Sequence, residues 1–146
     1  MMKRAQLRIL FHGLIILLVG LLCGVPYGRA ITGGWGDEVV RGWRVAHLSL
    51  VVGGLWLLMV AAVSSLLVLD RRGITLLVGS IVTSGYAFTV ALVVAASAGV
   101  RGLNATGPIL NLVAFGANTV ASLASVVWIV ITIVGTVRAL REERTA

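Results

Sequence analysis

Four long apolar runs dominate this chain, and they decide what it can fold into. A bilayer's hydrocarbon core of roughly 30 Å is crossed by about 20 helical residues rising 1.5 Å each. The runs over 7–25, 43–69, 74–99 and 109–137 all reach that length. The first ends at Pro26, and the second stops at the charged turn Asp70-Arg71-Arg72-Gly73. Strands of a transmembrane barrel would be about ten residues long and would alternate polar with apolar side chains. These runs are continuous and too long for that. The expectation is an all-α integral membrane protein, an up-down bundle of four transmembrane helices, with 1–146 as a single transmembrane domain. Composition closes the other routes. Only 12% of the residues are charged and 59% are hydrophobic, whereas a soluble surface is about a quarter to a third charged. Disordered chains are poor in apolar residues, so disorder is excluded too.

Orientation follows from the Lys and Arg residues that flank the runs. Lys3, Arg4 and Arg8, the middle turn's Arg71 and Arg72, and the tail's Arg138, Arg141 and Arg144 fall on one side. Arg29, Arg41, Arg44 and Arg101 fall on the other, half as many. Both termini are therefore expected to face the cytoplasm, in a bacterial inner (cell) membrane. The net charge of +7 is what membrane insertion requires of flanking residues and is not read as a nucleic-acid footprint. The basic start followed by an apolar run resembles a signal peptide, but no small-x-small cleavage site follows, so the first span is read as retained. Leu22 is too large to precede a lipoprotein cysteine. Cys23 stands alone, which leaves no internal disulfide and no thiolate cluster; it reads as a small apolar core residue.

Lipid gives helices no hydrophobic reason to associate, so small residues must let backbones approach. Gly20-x-x-x-Gly24, Ser80-x-x-x-Ser84 and the stripe Ala117, Ala121, Ser125 can serve that purpose, within one chain or between chains. The stretch 26–42 reads as the longest loop, with Gly33-Gly34-Trp35-Gly36 and the acids Asp37 and Glu38. Trp35 and Trp43 suit the headgroup level.

Function is sought among polar groups at membrane depth, where they are expensive. All five acids (Asp37, Glu38, Asp70, Glu142, Glu143) lie in loops or the tail, so no carboxylate pair for a proton relay is available. Hydrolase chemistry lacks a serine with a base and an orienting acid. What remains inside is His12, His47, Ser49, Thr83, Ser84, Tyr86, Thr89, Asn111 and Asn118. A helical imidazole is either a metal or haem ligand or a hydrogen-bonded structural group. His12 and His47 enter from opposite ends of their spans, and their depths differ by roughly 16 Å. Axial nitrogens on one haem are only about 4 Å apart, given metal–nitrogen bonds of about 2 Å. A single-histidine site with an open position therefore fits better than a bis-histidine site. His12 is read as a bridge from span one to a neighbouring helix. Asn111 and Asn118, seven apart on span four, are read as helix–helix hydrogen bonds.

Phe11-His12-Gly13-Leu14 followed by Leu17-Leu18-Val19-Gly20-Leu21-Leu22 resembles the start of small four-span membrane isomerases, the styrene oxide isomerases and the hydroxylaminobenzene mutases. Gly42-Trp43-Arg44-Val45-Ala46-His47 is similar to the segment that carries the haem-ligating histidine of the isomerases. Gly79-Ser80-Ile81-Val82 and Gly85-Tyr86-Ala87 also have counterparts. The resemblance implies that His47 is the axial ligand of haem b and that the open face of the ferric iron acts as a Lewis acid on a small apolar substrate, an epoxide or related compound, without net redox. It also implies a homo-oligomer, a trimer, with haem near a subunit boundary. Both families carry an asparagine six residues after the histidine and another after the aromatic-alanine pair; this chain has Gly53 and Phe88 there. Their catalytic tyrosine has no clear equivalent, and Tyr86 is the candidate hydroxyl in its place. The alternatives are a non-catalytic membrane subunit or scaffold on the same fold, and a b-type electron carrier.

Overall fold

The computed structural model describes residues 2–144. They form α1 (Met2–Leu22), α2 (Gly24–Thr32), α3 (Asp37–Val63), a single 3-10 turn (Ser64–Leu66), α4 (Arg71–Ala98) and α5 (Ile109–Glu143). α1 and α2 together make one of four helical stretches long and apolar enough to cross a membrane; α3 with the 3-10 turn, α4 and α5 make the others. In lipid every backbone N–H and C=O must find a partner inside its own segment, which is why runs of this polarity become helices. The chain is an integral membrane protein of four transmembrane helical stretches.

Burial runs opposite to that of a soluble bundle. Leu7, Phe11, Leu14, Leu18 and Leu21 of α1 point outward and are exposed, while one stripe of Ile9, Ile16, Leu50, Leu57 and Ile81 is buried. An apolar exterior of this extent matches hydrocarbon as its solvent. α1 lies antiparallel against α3, with Gln6 bonded to the Ala61 carbonyl at one end. At the other end a Cβ on Gly20 would meet the Val51 nitrogen at 2.6 Å, and one on Gly54 would meet Leu17 Cα at 2.7 Å. Only glycine permits this backbone approach, so the small residues of α1 and α3 serve packing within the chain. α5 packs along α4, and α4 touches α1 and α3. α3 and α5 do not pack along one another.

The element ends follow local chemistry. Asp70 is extended and accepts from the Gly73 N–H at 2.8 Å, capping α4. Gly99, left-handed at φ 64°, closes it. The link before α4 reaches α5, where the Val68 N–H donates to the Gly135 carbonyl.

Three expectations are corrected. The stretch 26–42 is mostly helical: α2 runs to Thr32 and α3 begins at Asp37, which leaves only 33–36 between them. Pro26 does not end span one. The break falls at Cys23, three residues earlier, because Pro26 has no N–H for the Leu22 carbonyl and its ring crowds that carbonyl. Pro26 itself sits in the first turn of α2, where a missing N–H costs nothing. Asn111 and Asn118 make no helix–helix bonds. Asn111 accepts from the Gly102 N–H and donates to the carbonyls of Asn104 and Thr106, and Asn118 donates to the Gly102 carbonyl. Both hold the α4–α5 loop, whose backbone groups have no helical partners of their own.

Candidate functional site

His47 lies on the face of α3 turned toward the junction of α1 and α2. Its Nδ1 is 2.8 Å from the Gly20 carbonyl. A carbonyl can only accept, so Nδ1 carries the hydrogen and Nε2 is left with the free lone pair. Gly20 is in the last turn of α1, where helix carbonyls run out of partners. The imidazole is thus oriented by a backbone oxygen, the arrangement that prepares a histidine for a metal. The Tyr27 ring of α2 stacks near it, with centroids 6.2 Å apart and planes 25° apart. A Cβ on Gly24 would stand 3.2 Å from the imidazole, so glycine there leaves the ring its space.

The other histidine is spoken for. His12 Nδ1 and the Tyr86 hydroxyl are 2.9 Å apart, with the two rings edge to face. Tyr86 leans toward the start of α4, as helical aromatics do, and so meets a residue one turn below its own level. His12 is a bridge from α1 to α4, as its sequence suggested. It lies eight residues from Gly20, roughly 12 Å along α1, so the two histidines do not form one site. Among the described residues no three His, Cys, Asp or Glu side chains come together.

A cleft of about 800 Å³ opens between α3 and α5 with α4 as its floor and Ile16 at its base. Trp56, Phe88 and Trp128 supply its aromatic walls, and Ser49, Ser84 and Ser125 its hydroxyls. No charged side chain lines it. Gly53 and Phe88 both face this space. Tyr86 and His47 are not among its lining residues. The reason is helical geometry: Trp56, nine residues after His47, is turned about 180° from it on α3. The structure separates the imidazole from the cleft within one chain.

The family model described as styrene oxide isomerase matches residues 5–137, nearly the whole bundle. The chain belongs to the styrene oxide isomerase family. No curated protein and no solved structure matches it significantly. Membership of the styrene oxide isomerase family makes this an isomerase-like membrane protein. In this family member His47 and Tyr86 stand out in the chain as polar groups within apolar runs, and Gly53 and Phe88 stand out only by resemblance to the family. The carbonyl of Gly20, the Tyr27 ring and the cleft-facing role of Ser125 do not. Each depends on which helix stands opposite, and no spacing rule within one helix encodes that.

Proposed function

We propose that this protein is a haem-b-dependent isomerase, of the epoxide isomerase or mutase type, acting on a small apolar substrate that reaches it from the bilayer. The observation that carries the reading is the His47–Gly20 hydrogen bond, which leaves Nε2 as a preformed donor for one axial position. An imidazole that, among the described residues, belongs to no cluster of three or more His, Cys, Asp or Glu side chains fits a group that brings its own equatorial nitrogens. His47 would hold the porphyrin iron, with Gly20 fixing the ring's tautomer and Tyr27 flanking it. When bound, the ferric group supplies a Lewis acid for the substrate's oxygen, and isomerisation then needs no external electron donor or acceptor.

The chain's own residues do the rest. The α3–α5 cleft holds the substrate's apolar body between Trp56, Phe88 and Trp128 and keeps charge and water away from it. Because His47 and the cleft occupy different faces of α3, we assign the complete site to a homo-oligomer, a trimer in this reading, in which one subunit's His47 meets the cleft of its neighbour. Tyr86, bonded to His12, would act by positioning α4 and not by direct contact with substrate. Both termini would face the cytoplasm in a bacterial inner membrane, since the end bearing Lys3, Arg4, Arg8, Arg71 and Arg72 carries the denser positive charge.

One observation favours a second reading, a non-catalytic subunit on the same scaffold: Gly53 and Phe88 bring no amide to the cleft. The two are separated by assaying purified protein with an aryl epoxide. The isomerase reading expects conversion to the aldehyde of equal mass with no added redox partner, lost in His47→Ala. Recovery of a stable heterologous partner with no turnover would overturn it in favour of the subunit.

A further inference from the structure

Ser84 and Ser125 face each other across the α4–α5 seam in the wall of the cleft, with their hydroxyl oxygens 2.7 Å apart. Ser125 also donates to the Ala121 carbonyl one turn back, at 2.8 Å. Its hydrogen is thereby used, so Ser84 is the donor of the pair. Ser84 is 5% exposed and midway along α4, in surroundings that contain no charge and no water-facing loop.

This wiring can be reversed at little cost. The Ala121 carbonyl keeps its helical partner whether or not the Ser125 hydroxyl donates to it. Ser125 can therefore turn its hydrogen to Ser84, which frees the Ser84 hydrogen for the cleft. No buried polar group is stranded by the exchange, which is the condition that makes a buried hydroxyl available to a ligand. Gly53 and Phe88 provide no side-chain donor, Trp56 and Trp128 offer only an indole N–H, and Ser49 lies on the exposed side of α3, which leaves Ser84 as the buried hydroxyl of the cleft.

We propose that Ser84, relayed by Ser125, is the substrate-binding residue that holds the oxygen of a compact apolar molecule in the cleft, and so sets the site's preference for a substrate with one oxygen acceptor. The proposal rests on the isomerase reading for the identity of the cleft's occupant, but its test does not need haem. Phenyloxirane and phenylcyclopropane have nearly the same shape and differ in one ring oxygen. Their binding to detergent-purified, pigment-free protein is followed by the emission of Trp56 and Trp128, which line the cleft.

Wild type is expected to favour the epoxide about five-fold, the factor that a net hydrogen bond of about 1 kcal/mol gives. Ser84→Ala abolishes the preference and leaves phenylcyclopropane binding unchanged. Ser125→Ala keeps the preference, because Ser84 retains its hydrogen. A purely structural role predicts that the two variants behave alike, since both break the same interhelical bond. Ser84→Cys, close in shape but a poor donor, should behave like Ser84→Ala if the alanine variant fails to fold. Survival of the preference in the Ser84 variants, its loss in Ser125→Ala alone, or no preference or binding in wild type would overturn the assignment. Loss of pigment or turnover in His47→Ala would leave it standing.

Discussion

At the scale of single residues, the two histidines show how one side-chain type takes two roles according to its partner. His47 meets a carbonyl, which fixes its tautomer and leaves a lone pair. His12 meets a hydroxyl that can either give or take, and its ring is consumed in joining α1 to α4. Tyr86→Phe removes only that bond. Intramembrane hydrogen bonds average about 0.6 kcal/mol and reach about 1.7. The variant should therefore unfold slightly more easily in a detergent denaturation series, by about 1 kcal/mol, with its ligand spectrum unchanged. A spectral change equal to that of His47→Ala would place Tyr86 in the site itself. His47 was conspicuous in the chain as a polar group in an apolar run. Its partner was not, because a backbone carbonyl has no signature in a sequence.

Among the elements, the spans were legible and their joints were not. Length and continuity of apolar residues are enough to place a helix in lipid, and the four expected runs all lie within the observed helices or their immediate ends. The segment after Cys23 misled because Pro and Gly read as turn formers, whereas Pro26 opens a helix as readily as it ends one. The fourth helix is longer than expected. α5 has 35 residues, roughly 52 Å, and carries its basic end well beyond a hydrocarbon core. The strictest packing demand falls on α1 and α3. A Cβ on Gly54 would meet Leu17 Cα, Cβ and N, all at 2.7 Å, so no side-chain rotation can make room. Gly54→Leu should part the helices and cost about 3 kcal/mol or more, read as a loss of folded protein on extraction. Gly53→Leu, whose Cβ meets nothing within 4 Å, should extract normally. Equal behaviour of the two variants would contradict the α1–α3 contact.

The molecule as a whole presents the His47 imidazole and the cleft on two faces of α3 that a single chain does not unite. His47 turns toward α1 and α2, and the cleft opens on the far side between α3 and α5. Helical angles in the chain contain this separation, but its meaning emerges only once the neighbours on each side are known. Arg29, Arg41, Arg44 and Arg101 lie toward the end of the bundle nearer His47, where Glu38 pairs with both Arg41 and Arg101. The basic N-terminus and Arg71 and Arg72 at the start of α4 lie at the other end. The central claim is that the His47 lone pair binds the iron of a haem. The most direct measurement is the visible absorption spectrum of protein purified in mild detergent from cells supplied with iron. The account predicts a Soret band that vanishes in His47→Ala, while His12→Ala keeps it. A colourless, fully folded wild-type protein, or a Soret band that survives in His47→Ala, would contradict it.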